Sequence, residues 1–580
     1  MRSRLFLLIP LSLLFSACAS LQQAPDESAE MAVVEQQEVV REEGWRPEEL
    51  PKTELSADLL IRFLVGDVAL QRGQPALAAR TWLDLARRTK DPRIARRALE
   101  MAVATGQVAQ AQELSKIWSD AAPSSGVARQ LALSLAIRAN KLDEAEALID
   151  PFLKNPPPDL AGFYMQLHLL WDRGADPKAV IRLTEKLTAG KDSMPEARFA
   201  RAVAHAMQAR EATALAELEA ALDSRAWWEP AVLYRAQLLT QGKKPDQAII
   251  FLQQAVEKKP GLLSFRLALA RTLADAKRET EARAVYEEIL AITPDNLESL
   301  VSAGLLALQN HEIDAAYRFL SAAVKQEPRN ANLLRLYLGQ IEEERYRFRE
   351  AQGWYGQVTG EEMPKAEMRL PRVLARLGER EAALKALEKL PQASEEEKIA
   401  KIQMEAQVWR DLKLPAKGRE ILTLALKQHP DSVDLLYDRA LLADLEGDIA
   451  AAETDLRRAL GIQPDSVQVL NALGYVLVSR TDRLADAEPL LLKAIAAEPD
   501  NPVIIDSVGW LRFRQGKLEE ALDWLARAYA KVRDPEVAAH YAEVLWTSGN
   551  KNKAREVFAT GQKLDPEHPA IVDVSRRLGL

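Results

Sequence analysis

The chain has 580 residues, a formal net charge of −8 and charged side chains at 28% of the total, both signs being interspersed. That balance opposes a nucleic-acid role. The single cysteine excludes a disulfide framework and a thiolate metal cluster. Aromatic residues make up only 6%, and runs rich in Ala, Leu, Glu, Lys and Arg lie between short turn signals. Such runs predict an almost wholly helical protein.

The chain opens with Arg2 and Arg4, an apolar run over 5–15, and Ser16-Ala17 before Cys18. A basic start, an apolar stretch and small residues before a cut describe a secretory signal, too short to span a bilayer comfortably. Ending at Cys18, residues 1–17 resemble a lipoprotein signal peptide, with Phe15 where Leu is usual. The resemblance makes Cys18 the acylated N-terminus. Ala19 in place of Asp implies, by the sorting rules of such proteins, an outer-membrane lipoprotein facing the periplasm. Residues 18–56 are acidic, with few apolar residues beyond Trp45 and the run at 31–34. They read as a flexible tether reaching roughly 30–35 Å.

Residues 57–225 carry helix pairs of irregular spacing: 59–71 with 76–88, 93–105 with 108–120, and 127–139 with 143–153, followed by three prolines at 156–158. The prolines fit a rigid loop between units. From residue 226 to 566 the register locks. Ala236, Ala248, Ala255 and Pro260 recur as Ala270, Ala282, Tyr286 and Pro294, then as Gly304, Ala316, Ala323 and Pro328. The prolines stand 34 residues apart, the period of the tetratricopeptide helix–turn–helix repeat. Gly or Ala at the contacts lets two helices approach closely, and Pro stops the second helix. Pro364 and Pro391 divide the stretch from Pro328 to Pro430 unevenly, into one short and one long unit. Gly474, Ala487, Ala494 and Pro499 follow, with one extra turn residue near 479–483. Gly509, Ala521 and Ala528 come next, then Ala542, Ala554, Phe558 and Pro566. Residues 567–580 form a last helix of the kind that caps an array. The fold class is therefore all-α, a tetratricopeptide (TPR) superhelical solenoid of about fifteen helix pairs with a C-terminal capping helix.

Catalytic patterns are not found. The six histidines fall in separate units, none at an H-E-x-x-H spacing, and there is no phosphate-binding loop or G-x-S-x-G elbow. No enzyme activity, cofactor or metal is expected. The arginines Arg87, Arg88, Arg93, Arg96 and Arg97 crowd one region, either as a solvated helix face or as a docking patch for an acidic partner or anionic lipid. In this repeat the second, fifth, ninth and twelfth to thirteenth positions of the first helix turn toward the concave groove. Counting from Gly474 and Gly509 places Asn471, Tyr475, Asp506, Trp510, Phe513 and Arg514 there, with Glu536, Glu543 and Trp546 in the next unit. Aromatics beside amides and charges suit client recognition, although Tyr475 or Trp510 could equally pack as core.

The block from Asn471 to Tyr475, the turn Arg480-Thr481-Asp482-Arg483 and the run Asp506-Ser507-Val508-Gly509-Trp510 resemble those of proteobacterial TPR outer-membrane lipoproteins, closest to the adaptors of periplasmic carboxyl-terminal processing proteases (LbcA-like). What the resemblance implies is a non-enzymatic scaffold that holds such a protease together with peptidoglycan hydrolase substrates. The alternative is an assembly lipoprotein of a pilus, secretion or exopolysaccharide export machine.

Overall fold

The computed structural model describes residues 50–580 except 172 and 173. The signal peptide, Cys18 and nearly all of the tether lie outside the described residues. Within them are 31 α-helices and no strand. They run as fifteen antiparallel hairpins and one final helix, from α1 (Ala57–Gln71) and α2 (Pro75–Thr89) to α31 (Pro569–Leu578). The expected count and the cap are both present.

Local chemistry explains the boundaries. Ser56 caps α1 by accepting from the Leu59 amide, and Asp534 caps α29 (Pro535–Thr547) by accepting from Glu536. Pro260, Pro294, Pro328, Pro430, Pro464 and Pro499 all lie just beyond a helix end. Pro502, Pro535 and Pro569 instead open helices, where a missing amide is harmless. Three prolines sit inside helices, Pro151, Pro371 and Pro489, so the residue does not always mark an end. The uneven middle is real. An eight-residue helix, Phe348–Tyr355, precedes a seventeen-residue one, Glu395–Asp411, which starts in a capping box of Ser394 and Glu397.

One packing rule recurs through the array: a glycine in the first helix receives a large side chain from the second. A Cβ on Gly66 would come within 2.7 Å of Trp82, and one on Gly304 within 2.6 Å of Leu320. The same clash would occur between Gly339 and Tyr355, Gly474 and Leu491, and Gly509 and Leu525. The partner stands sixteen positions later, or seventeen at Leu491, where the turn has its extra residue. Gly66 and Trp82 show that the first, irregular unit obeys the rule.

The chain divides into two compact units at Ile289/Leu290. In the unit from Leu290 onward, successive first helices of the hairpins touch one another, as α25 (Val467–Arg480) touches α27 (Pro502–Arg514) and α27 touches α29. Successive second helices make no comparable contact. The first helices therefore line the inside of the curve. This unit also closes on itself. Tyr346 donates to Asp534 at 3.0 Å, Arg376 pairs with Asp565 at 2.8 Å, and Lys413 pairs with Glu567.

Candidate functional site

The inside of α25, α27 and α29 gathers polar and aromatic residues from three consecutive units. Tyr475 donates its phenol hydrogen to Glu536 at 2.5 Å, and the same oxygen lies 3.5 Å from Nε2 of His540. On the other side of the ring, Nδ1 of His540 is 2.9 Å from the Asp506 carboxylate. Trp510 stacks on the imidazole, with centroids 4.2 Å apart and planes 15° from parallel, and Phe513 packs on Trp510 at 5.2 Å. The sequence makes this possible because Asp506 and His540 stand 34 residues apart, one period, so curvature brings them together. Tyr475 and Glu536 are 61 residues apart and meet across the intervening helix α27.

Burial sets the electrostatics. It pushes the Tyr475 hydroxyl well above the ordinary phenol range, and the Glu536 carboxylate adds to this. At His540 burial opposes the charge, but the Asp506 carboxylate outweighs it and raises the imidazole above its usual value. Burial raises Asp506 in turn, against the pull of His540. The arrangement locks three helices in register. Among the described residues no group of His, Cys, Asp and Glu is placed to hold a metal ion.

Asn471, Tyr475, Asp506, Trp510 and Glu543 are all buried, whereas Phe513, Arg514 and Trp546 are partly exposed. The helices bring Tyr475, Asp506, Trp510 and Phe513 into one cluster. Glu543 is held by Arg577 of α31, and Arg514 donates to the Val478 carbonyl at 2.6 Å and to Asp482 at 3.0 Å. Asn471 stands apart, because its Oδ1 is buried with no hydrogen-bond partner in the structure. His540 is the residue that sequence reasoning missed, since it was judged within its own unit. Its one-period spacing from Asp506 is the signal that could have found it.

The arginine group near the start is tied down within the chain. Arg87 binds Glu113 at 2.6 Å, Arg88 binds Asp84 at 2.9 Å and Arg93 binds Asp91 at 2.6 Å. Arg96 binds Glu100 at 3.0 Å, while Arg97 binds Asp67 at 2.9 Å and covers the face of Trp82. Each positive charge already has a carboxylate beside it. A patch of free basic charge is not what the structure presents.

The helical hairpins, their small-to-large packing and the inner strip define a class. Residues 239–304 and 419–559 match family models described as tetratricopeptide repeat. Such repeats are protein-interaction scaffolds, and that is the role they give this chain. Over 539 residues the chain is 29% identical to the TPR repeat-containing protein PA4667 of Pseudomonas aeruginosa, covering 92% of this chain and 90% of that one. Two solved structures each align with 90% of this chain and 96% of their own: Naa15/Naa10 bound to HypK-THB, at 13% identity and a TM-score of 0.28, and the Cut9–Hcn1 hetero-tetramer, at 15% and 0.27. Scores that low carry no argument about this chain.

Proposed function

We propose that this chain is a lipid-anchored periplasmic adaptor, tethered to the outer membrane through Cys18, that brings a carboxyl-terminal processing protease together with peptidoglycan hydrolase substrates. The observation that carries the scaffold part is the inner strip of α25, α27 and α29. There the Oδ1 of Asn471 is a buried acceptor with no hydrogen-bond partner in the structure. The partly exposed Phe513 and Trp546 offer apolar area at the ends of α27 and α29. The resemblance of the blocks at 471–475, 480–483 and 506–510 supports the choice of protease and clients. A relative alignable over almost the whole chain, itself a TPR repeat-containing protein, supports the scaffold part only.

The test is affinity capture of the full chain from a bacterial envelope extract. The adaptor reading expects a serine protease and peptidoglycan hydrolases, with hydrolase capture reduced by Phe513→Ala. Capture of secretin, pilus or exopolysaccharide-synthase subunits would favour the assembly lipoprotein instead. A chain recovered with neither group would remove both readings. The anchor has its own check. Cys18→Ser should leave an unprocessed precursor by mass spectrometry, and a normally lipidated product from that variant would overturn the anchor.

A further inference from the structure

The first described helix of the array is composed like an interior helix, yet no described element lies on its outer side. On α1, the side chains of Leu60, Ile61, Phe63, Leu64, Val65 and Val68 are each between 40 and 60% exposed. Gly66 and Ala69 are buried, Gly66 lying against Trp82 of α2, so the helix is fastened along one narrow face. In a stacked repeat, each unit buries its apolar surface on both neighbours, and a terminal unit needs a polar outer side or a cover. Among the described residues α1 has neither. Leu77 at the start of α2 is also exposed and extends the patch.

We propose that this face pairs with the same face of a second copy of the chain, as two antiparallel α1 helices about a two-fold axis near Leu64 and Val65. Two features of α1 favour a copy of itself over other occupants. Ile61, Leu64 and Val68 follow the three-and-four spacing of a coiled-coil seam, with Leu60 and Val65 flanking it. The seam reads nearly the same in both directions. Reversal sets Ile61 opposite Val68 and Leu64 opposite Val65, the self-complementarity that a two-fold interface requires. The charges follow the same symmetry. Asp58 lies at one end of the helix and Arg72 just beyond the other, and Arg72 is exposed with no ion pair among the described residues. An antiparallel pair places each Asp58 near the other copy's Arg72.

Two other rim charges are paired, whereas Arg80, three residues beyond Leu77, is exposed with no ion pair among the described residues. Arg62 is held by Asp58 and Asp84, and Asp67 by Arg97. The exposed apolar side chains amount to roughly 500 Å² per copy, so about 1,000 Å² would be buried across the pair, near the lower limit for a specific interface. A modest, reversible dimer is therefore the expected form, with a Kd in the micromolar range, about 1–50 μM.

The experiment uses the full chain carrying Cys18→Ser, examined by sedimentation velocity across that concentration range, with circular dichroism on every variant. A dimer is expected, and Leu64→Glu should return it to a monomer with an unchanged spectrum and melt. In the same background Leu64→Cys should cross-link to itself on mild oxidation, while Val108→Cys, exposed but off the face, should not. The proposal is overturned by a single-chain mass at every concentration, by a dimer indifferent to Leu64→Glu, or by equal cross-linking at the two cysteines. A monomer that floats with anionic vesicles through Leu64 would give the face to a lipid surface. A monomer whose α1 becomes exposed to exchange only after residues 1–49 are removed would give it to the preceding segment. Either result ends the two-fold pairing.

Discussion

The two ends of the array solve the same problem in different ways. α31 buries Ile571 and Val574 against the preceding hairpin and turns Asp573, Arg576 and Arg577 outward. It then stops in a left-handed Gly579, which only a residue without a Cβ adopts freely. Arg577 reaches back to Glu543 and ties the cap to α29. α1 has the opposite composition, with a fastened small-residue face and an apolar outer one. A polar outer side ends a stack, whereas an apolar one continues it. Among the described residues the last helix presents a largely polar outer side and α1 an apolar one.

The largest expected effect contrasts these ends directly. Ile571→Asp places a charge in a packed site and should cost about 4 kcal/mol or more, read as loss of exchange protection over α29 to α31. Leu64→Asp, measured where the chain is monomeric, should change stability by no more than about 0.5 kcal/mol. Similar losses at both positions would erase the contrast. Next in size is the interior of the closed end. Trp510→Ala empties a buried site against His540 and should cost about 3–5 kcal/mol by urea titration. A preserved melt with weakened client capture would instead make Trp510 a contact residue.

Smaller still is a pH effect in the same region. Burial pushes the Asp438 carboxyl up to about 6, partly offset by the hydrogen bond that Gln403 donates at 2.8 Å. A folded value above the unfolded one means the stabilisation is complete at acid pH and is lost as pH rises from about 4 through 6. Asp438→Asn should therefore stabilise the unit at pH 7 by about 1–3 kcal/mol and give no gain at pH 4. A gain of equal size at both values would mean that ionisation is not the cause. His540 shifts in the same sense, since its raised value also gives stability that fades toward alkaline pH, and His540→Gln should flatten that slope. The last effect is overpacking. Ala521→Leu should cost about 1–3 kcal/mol, whereas Lys517→Ala, on the exposed turn, should stay within about 0.5 kcal/mol. Equal melting shifts would refute the packing register.

Why the fold could be read in advance is clear from Gly304, Gly474 and Gly509. Each must be small because a specific leucine fills its place, so the repeat period is written in the sequence by sterics alone. The site was legible only in part. Asn471, Tyr475, Asp506 and Trp510 could be assigned to first helices by counting. Their partners depend on how tightly the array curves, a sum of small rotations that no single repeat encodes. The contact of Tyr475 with Glu536, two units on, is the product of that sum. Exposure at α1 is harder still to foresee, because it records the absence of a neighbour among the described residues. The sequence of 57–71 looks like that of any interior helix.

The contacts of Tyr346 with Asp534, Arg376 with Asp565 and Lys413 with Glu567 span 188, 189 and 154 residues of chain. A solenoid ordinarily behaves as a row of units coupled only to their neighbours, so that its ends fray independently and unfolding spreads from either side. Three distant bonds change the statistics of that row. Opening the last hairpin now also releases units near Tyr346 and Lys413, and the stretch between them melts with more of the character of a loop than of a line. Bonds of that length must also form late, since closing about 150–190 residues carries a large entropy before any contact is gained. The C-terminal unit should therefore acquire its cooperativity at the end of folding, as salt-sensitive ion pairs join parts of the array that have already stacked.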